Sequence, residues 1–365
     1  MPSRRTLLAT VPATIGCTAG CSYLKDFTDG DPFSGSDRLK WLYPTDGRVR
    51  SSPAISNGIL YVGSNDGNLR ALDPVNGTLE WSFRTDASIS SDPAVTDGTI
   101  YFGSLDNQVY AVDTEGNERW KFQTGHRILS DPVTANDMVF VGSSDRYVYA
   151  IDATTGSLVW RYETGDSVQA GPTYQDGVIY IGSRDNTLYS LVADTGQLSW
   201  NYTASDDPDI TPVSISIKQT AAVTENRVFF GSTNTYFYAL NRYDGTHQWS
   251  RDTEQSINSA PALWNDTVYF ASMLGTLYAM KTKTGEIRWT TDRLHSPVHA
   301  HPSVSDGTLY IGDRLGTLHA FDSRTGDHLW KFKTDNAIQT KPLVTEDTIY
   351  FGSNDGHVYA IEHEP

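Results

Sequence analysis

The sequence predicts an all-β fold: an eight-bladed propeller built from four-stranded antiparallel blades. Two repeated marks carry this prediction, and each occurs eight times along the 365 residues. The first is a tryptophan every 39 to 49 residues, at Trp41, Trp81, Trp120, Trp160, Trp200, Trp249, Trp289 and Trp330. The second is a Gly-Ser pair or close variant, which starts at Gly63, Gly103, Gly142, Gly182, Gly231, Ala271, Gly312 and Gly352. A period near forty residues is typical of propellers.

One repeat, residues 132–160, illustrates the unit. Four short runs rich in aromatic and β-branched residues are separated by turn residues such as Asn136-Asp137 and Thr155-Gly156, which indicates four antiparallel strands. A sheet this small cannot bury its faces alone, so neighbouring sheets must stack radially. Helical repeats are excluded because no unit contains a convincing 3.6-residue period.

The two chain ends predict how the ring closes. The chain stops 35 residues after Trp330, before a ninth tryptophan, whereas Trp41 precedes any complete repeat. We therefore expect residues 39–43 to form the outer strand of the last blade, pairing edges that would otherwise stay open. Seven whole units and this shared one make eight blades.

The first 21 residues have the layout of an export signal. Arg4 and Arg5 stand in a twin-arginine-like motif, and residues 18–21 resemble a lipobox in which Cys21 receives the lipid. Simple signal cleavage and an uncleaved signal anchor are the alternatives, and Cys17 is a weaker competing site. We expect residues 22–36 to form a flexible tether and residues 37–365 the propeller, held at the outer face of the cytoplasmic membrane by the lipid alone.

Composition excludes several function classes. The formal net charge of −16 argues against a nucleic-acid partner, which needs a basic surface. Nine of the 28 cations are lysines, a carboxylate-rich and lysine-poor pattern that resembles proteins of extreme halophiles. Both cysteines lie within the first 21 residues, so disulfides and thiolate metal sites are excluded from the folded domain.

Seven segments that end in tryptophan suggest a family. Copies such as ALDPVNGTLEW (71–81), AIDATTGSLVW (150–160) and AFDSRTGDHLW (320–330) resemble the tryptophan-docking motif of the pyrroloquinoline-quinone (PQQ) propeller family. The resemblance implies that each tryptophan packs against the neighbouring blade, next to a turn glycine. One branch of the family contains PQQ-dependent dehydrogenases, and another resembles BamB, a lipoprotein that binds partners and does no chemistry. Length, lipobox and blade number favour the second branch.

The search for chemistry yields no catalytic, cofactor or metal residues. A vicinal cysteine pair is missing, and most acids occupy turn positions such as Asn65-Asp66-Gly67. The segments entering each blade open onto the central channel, where a ring of polar groups holds a small ligand or only water. The candidates at the channel mouth are Arg50, Asp92, Asp131, His299, His301 and Lys341.

Four further features leave alternatives open. His295, His299 and His301 share one stretch, but alternate residues of a strand point to opposite faces, which weakens a metal site. Residues 205–219 form an insertion that either binds a partner or is a tolerated loop. Trp264 is either a packing variant or an exposed contact. Sequons occur at Asn76, Asn201 and Asn265.

The expected function is therefore that of a non-enzymatic, monomeric, membrane-tethered propeller that binds protein partners of the cell envelope. The first alternative is a PQQ-dependent dehydrogenase with PQQ in the channel. The second is a sensor module that binds a small ligand or sugar.

Overall fold

The computed structural model describes residues 36–204, 216–294 and 296–363. Several predictions therefore concern positions outside the described residues: the export signal at Arg4 and Arg5, the lipidation site Cys21, His295, and most of the insertion in residues 205–219. No helix in the described part of the chain is long and apolar enough to span a membrane.

The chain forms eight four-stranded antiparallel sheets, which confirms the predicted fold class. A 3₁₀ turn, Ser36–Arg38, precedes β1 (Leu39–Pro44). Blade 1 contains β2 (Ala54–Ser56), β3 (Ile59–Gly63), β4 (Asn68–Leu72) and β5 (Leu79–Arg84). Blade 2 contains β6 (Ala94–Thr96), β7 (Thr99–Gly103), β8 (Gln108–Asp113) and β9 (Glu118–Gln123). Blade 3 contains β10 (Val133–Ala135), β11 (Met138–Gly142), β12 (Tyr147–Asp152) and β13 (Leu158–Glu163).

The remaining blades repeat this order from the channel outward. Blade 4 contains β14 (Thr173–Gln175), β15 (Val178–Gly182), β16 (Thr187–Val192) and β17 (Leu198–Thr203). Blade 5 contains β18 (Ala222–Val223), β19 (Arg227–Gly231), β20 (Tyr236–Asn241) and β21 (His247–Asp252). Blade 6 contains β22 (Ala262–Trp264), β23 (Thr267–Ala271), β24 (Leu277–Lys281) and β25 (Ile287–Thr291). Blade 7 contains β26 (Ser303–Ser305), β27 (Thr308–Gly312), β28 (Thr317–Asp322) and β29 (His328–Lys333).

Blade 8 joins the two ends of the chain, as the sequence predicts. Its strands are β30 (Leu343–Val344), β31 (Thr348–Gly352), β32 (His357–Glu362) and then β1. The pairing of β1 with β32 is antiparallel and runs from Leu39 opposite Ile361 to Pro44 opposite His357. This ladder closes the ring and leaves no unpaired edge on β32.

The hydrophobic core lies between blades. The second and third strands of each blade are buried on both faces, as in β7 and β11. Their side chains meet those of the next blade: Val109 of blade 2 and Val141 of blade 3 belong to one buried cluster. Each blade therefore depends on its neighbours for burial, as expected of radial repeats.

The docking tryptophans tie each blade to the following one. Trp120, for example, donates its indole N–H to the carbonyl oxygen of Ala153 at 2.9 Å. A Cβ atom added to Gly156 would lie 2.7 Å from that ring, so only glycine fits beneath it, and its φ of +71° also favours glycine. The same ring-over-glycine arrangement recurs at Trp41, Trp81, Trp160, Trp200, Trp249 and Trp289.

The Gly-Ser register has a second packing cause. A Cβ atom on Gly103 would lie 2.3 Å from Cγ2 of Ile128, a buried residue in the segment that enters blade 3. The equivalent residue in each entering segment is a buried valine or isoleucine. Because the glycine has no side chain, it leaves the space into which the next blade inserts a β-branched side chain.

Candidate functional site: the central channel and its upper mouth

Two kinds of segment meet on one face of the ring, here called the upper face. These are the loops that enter each blade and the turns between its second and third strands. Backbone hydrogen bonds join them, such as Asn65 N–H to the carbonyl of Arg48 and Ile89 N–H to that of Ser64. The other two sets of turns lie on the opposite face.

Eight equivalent residues, one from each entering loop, surround the channel and are here called the constriction ring. The ring consists of Ser52, Asp92, Asp131, Gly171, Thr220, Ala260, His301 and Lys341. Neighbouring members hydrogen bond in series: Lys341 N–H to Ser52 Oγ at 2.9 Å, Ser52 N–H to Asp92 Oδ1, and Asp92 N–H to Asp131 Oδ1 at 2.7 Å. The structure thus brings four of the six predicted channel-mouth residues into a single ring.

The carboxyl groups of the constriction ring titrate abnormally. Burial raises the pKa of Asp92 to about 6, although hydrogen bonds from Ser52 and the charge of Lys341 act in the opposite direction. Burial, with the added repulsion of Asp92, also raises the pKa of Asp131. The two groups are neighbours, so ionisation of one disfavours ionisation of the other and the pair holds a proton to a higher pH than free carboxyl groups do.

His301 faces these carboxyl groups but remains neutral. Its Nε2 lies 2.8 Å from Oε1 of Gln219. Burial and the charge of Lys341 lower the pKa of His301 to about 4. The hydrogen bond to Gln219 fixes the orientation of the His301 imidazole, and the neutral imidazole adds no charge to the channel.

The constriction ring separates two spaces in the channel. The upper cavity has a volume of about 240 Å³ and is lined by Arg50, Lys218 and three glutamines, above Asp92, Asp131 and His301. The space below has a volume of about 290 Å³ and is lined by Lys341 and by prolines that immediately precede the inner strands. The sequence predicts Arg50 and Lys341 at the same channel mouth. In the structure Arg50 lines the upper cavity, whereas Lys341 lines the space below.

His299 and His301 do not alternate across a strand, because residues 296–302 are not in β conformation. His301 belongs to the constriction ring, while His299 lies higher, close to Arg314, Arg50 and Lys218. Burial and these three cations lower the pKa of His299. Within the described residues, no group of three metal-ligating side chains comes together.

The upper-face turns reveal a second feature. In five blades an aspartate caps the turn, as Asp106 does in blade 2. Its Oδ1 accepts the Gln108 N–H at 3.0 Å, and its Oδ2 accepts the Tyr110 hydroxyl at 2.9 Å. The equivalent residues are Asp66, Asp145, Asp185, Asp355 and, in blade 5, Asn234.

Blades 6 and 7 break this rule. Leu274 and Leu315 stand at the capping position and are 67% and 61% exposed. The cap is supplied from elsewhere: in blade 6, Ser272 Oγ accepts the Thr276 N–H at 3.3 Å, and Gln255 Oε1 accepts the Leu274 N–H at 3.1 Å. In blade 7, Asp313 Oδ1 accepts the Thr317 N–H at 2.8 Å. Two adjacent blades therefore present an exposed leucine where the other six present a polar cap.

Sequence reasoning noted the altered pairs Ala271-Ser272 and Gly312-Asp313 but missed these leucines. They become visible when the eight repeats are compared at one position, the residue that lies two places after the second member of each pair. Trp264 is partly buried against the cluster between blades 6 and 7, in agreement with a packing variant. The three sequon asparagines, Asn76, Asn201 and Asn265, are exposed.

Comparison with known families identifies the chain. A family model described as the β-propeller of the beta-alanine-activating enzyme matches residues 134–365, more than half of the chain. The chain belongs to this β-propeller family. A second model, described as the outer membrane protein assembly factor BamB, matches residues 31–91 of this PQQ-like propeller. No curated protein sequence matches it significantly.

Solved structures share the fold of this PQQ-like propeller at low identity. BamB from Moraxella catarrhalis is 19% identical, with a TM-score of 0.78 over 89% of this chain and 99% of its own. The computationally designed Ika8 protein is 18% identical, with a TM-score of 0.77 over 92% and 100%. Quinohemoprotein alcohol dehydrogenase from Comamonas testosteroni is 16% identical, with a TM-score of 0.75 over 89% and 76%. A designed protein, a BamB and a dehydrogenase score alike, so the likeness concerns architecture.

Proposed function

We propose that the chain is a non-enzymatic, monomeric scaffold that stands outside the cytoplasm on a lipid at Cys21 and docks a protein partner of the cell envelope. The observation that carries this proposal is the pair of exposed leucines, Leu274 and Leu315, on adjacent blades of the upper face. The two leucines occupy equivalent turns of neighbouring blades, and apolar side chains grouped on one face are typical of contact surfaces.

The relocated caps support this interpretation. If the leucines were tolerated losses of a capping aspartate, the turns would lack an acceptor for their N–H groups. Ser272 Oγ and Asp313 Oδ1 supply that acceptor instead. The turns of blades 6 and 7 therefore keep their shape while their tips are apolar, which favours a role in recognition over one in stability.

The course of the first strand agrees with a tether. Arg38 Nη1 donates to the carbonyl oxygen of Glu362, and β1 then runs toward the upper face, where Thr45 N–H bonds to the carbonyl of Gly356. The chain thus enters the propeller from the opposite face. A lipid on the preceding segment would therefore join the propeller on the face opposite to Leu274 and Leu315 and leave the upper face free to dock a partner.

Docking is tested by crosslinking and pull-down from the native membrane with the double variant Leu274→Asp/Leu315→Asp. Both changes restore the residue type found in the other blades, so folding is retained. We expect recovery of the partner to fall at least about tenfold, since buried apolar anchors dominate contact energy. The matched control is Val75→Asp, at an exposed apolar residue of the opposite face, 81% exposed. Equal recovery of the partner with the wild type, the double variant and Val75→Asp would contradict the proposal.

The tether has its own test. Cys21→Ser should release the protein into the medium, whereas Cys17→Ser should leave it on the membrane. Retention of the Cys21→Ser protein in the membrane fraction would refute lipid anchoring through this residue.

The PQQ-dependent alternative is tested by adding PQQ with Ca²⁺ and following dye reduction by alcohols and sugars. We expect no turnover above the protein-free rate. Sustained turnover would replace the scaffold proposal with an enzymatic one.

A further inference from the structure

We propose that the upper cavity of the channel binds a small anion carrying carboxylate or phosphate groups. Arg50 and Lys218 line this cavity of about 240 Å³ from the loops that enter blades 1 and 5. Four blades separate these loops in a ring of eight, so the two cations face each other across the channel. Both cations line the same cavity, so an anion in it lies between two positive charges. The inference does not depend on a docked protein partner.

The cations around this cavity lack acidic partners. Among the ion pairs between described residues, none includes Arg50, Lys218, Arg184 or Arg314. Arg50 reaches only the side-chain amide oxygen of Asn354, at 3.4 Å. A chain with 44 acids and 28 Lys and Arg residues has carboxylates in excess. A group of unpaired cations at one place in such a chain is the electrostatic signature of an anion site.

The cations are also close enough to repel one another. Burial first, and then Arg48 and Arg314, lower the pKa of Arg50. Burial and Arg184 lower the pKa of Lys218. A bound anion offsets this repulsion and raises the pKa of each cation. It therefore stabilises the charged forms of Arg50 and Lys218.

The cavity size limits the ligand. A volume of about 240 Å³ is below the ~300 Å³ at which pockets for drug-sized ligands begin. Gln169, Gln219 and Gln339 supply amide groups around it, and amide N–H groups donate to oxyanions. The site therefore suits an inorganic or short-chain organic anion.

The floor of the cavity contains two acids, Asp92 and Asp131, which would repel an anion if both were ionised. Burial raises the pKa of both groups, and the charge of Asp92 adds to the rise at Asp131, so the pair holds a proton to a higher pH than free carboxyl groups do. That proton makes the pair a hydrogen-bond donor toward the ligand. Binding should therefore weaken as pH rises. The charged and titratable groups at or around the site are Arg48, Arg50, Lys218, Arg184, Arg314, His299, His301, Asp92, Asp131 and, from below, Lys341.

Calorimetric titration of the full-length protein with citrate, inorganic phosphate or acetate, at constant ionic strength, tests this site. Citrate and phosphate separate the carboxylate from the phosphate source, and we expect at least one to bind more tightly than acetate. Arg50→Gln and Lys218→Gln should each weaken binding about tenfold, because each removes a charge-assisted contact. Lys283→Gln, an exposed cation on the opposite face, is the matched control.

Two outcomes would overturn the anion site. One is that neither citrate nor phosphate binds in the millimolar range. The other is that Lys283→Gln weakens binding as much as Arg50→Gln, which would mean that the anions respond to general charge alone. Thermal unfolding of each variant without ligand verifies that the folded state is retained.

Discussion

The guanidinium of Arg38 lies over the ring of Trp330, with its Cζ atom 4.6 Å from the ring centroid. The other seven docking tryptophans each pack on a turn glycine of the next blade. Blade 8 has no such turn, because its two outer strands come from opposite ends of the chain. Where the ring closes, the cation–π contact between Arg38 and Trp330 therefore replaces the contact between a docking tryptophan and a turn glycine.

Replacing Arg38 should weaken the closure. We expect Arg38→Ala to lower the free energy of unfolding by about 1 kcal/mol, the value of a partly shielded cation–π pair. Amide hydrogen exchange in β1 should accelerate. Arg161→Ala removes a similar contact with Tyr147, at 4.7 Å within blade 3, and should leave β1 exchange unchanged. Identical β1 protection in both variants would show that Arg38 does not hold the closure.

The glycine register should tolerate no side chain. Gly103→Ala places a methyl group against Ile128, and overpacking of this kind costs about 1–3 kcal/mol. The cost of Gly103→Ala should shrink in an Ile128→Ala background, where the space is free. Denaturant unfolding of the four proteins in this cycle measures the coupling. A coupling of zero would mean that this contact does not determine the register.

The constriction ring should make stability depend on pH in an unusual direction. A carboxyl group whose folded-state pKa is raised binds more protons in the folded state, so its contribution to stability is present at low pH and is lost as pH rises through that pKa. For Asp92 and Asp131 this loss extends from about pH 4 to beyond pH 6. Asp131→Asn keeps the acceptor oxygen for Asp92 N–H but removes the charge. It should raise the free energy of unfolding at pH 7 by about 1 kcal/mol and flatten the profile.

Urea unfolding from pH 4 to pH 7.5 checks this prediction. Asp106→Asn, at a turn aspartate of the upper face, is the control and should not raise stability at pH 7. A pH profile of Asp131→Asn that parallels the wild type would contradict the assignment.

The turn leucines and turn aspartates should respond oppositely to exchange. Leu315→Asp changes an exposed side chain whose turn already has Asp313 as its cap, so we expect a change within about 0.5 kcal/mol. Asp106→Leu removes the acceptor of Gln108 and Tyr110 and should cost about 2 kcal/mol. Thermal unfolding of the two variants measures both stability changes and tests this prediction. Equal losses would mean that Leu315 is part of the fold.

The sequence was sufficient for the fold because its determinants are local and repeated eight times. Trp120 and Gly156, or Gly103 and Ile128, are contacts between neighbouring repeats, and a contact that recurs with the repeat is visible as a period. Closure by β1 could also be predicted, since only an incomplete first repeat and an incomplete last one make eight whole blades together.

The site could be predicted only in part. The entering loops located Asp92, Asp131, His301 and Lys341 at the channel, because their register follows the repeat. The sequence does not reveal that Arg50 lines the cavity above the constriction ring, whereas Lys341, a member of the ring, lines the space below it. It also does not reveal that Arg184 and Arg314, from turns far away in the chain, join Lys218 and Arg50. These relationships depend on how eight blades tilt around one axis.

Closure by β1 also fixes the order of events during synthesis. The strand that completes blade 8 is among the first parts of the propeller to leave the ribosome, and its ladder partner β32 is among the last. Until residue 362 is available, residues 39–44 have no strand to pair with, and seven blades can stack while the ring stays open. Completion of the propeller therefore waits until β32 has been synthesised. A truncation that removes residues 357–362 would leave β1 without its ladder partner.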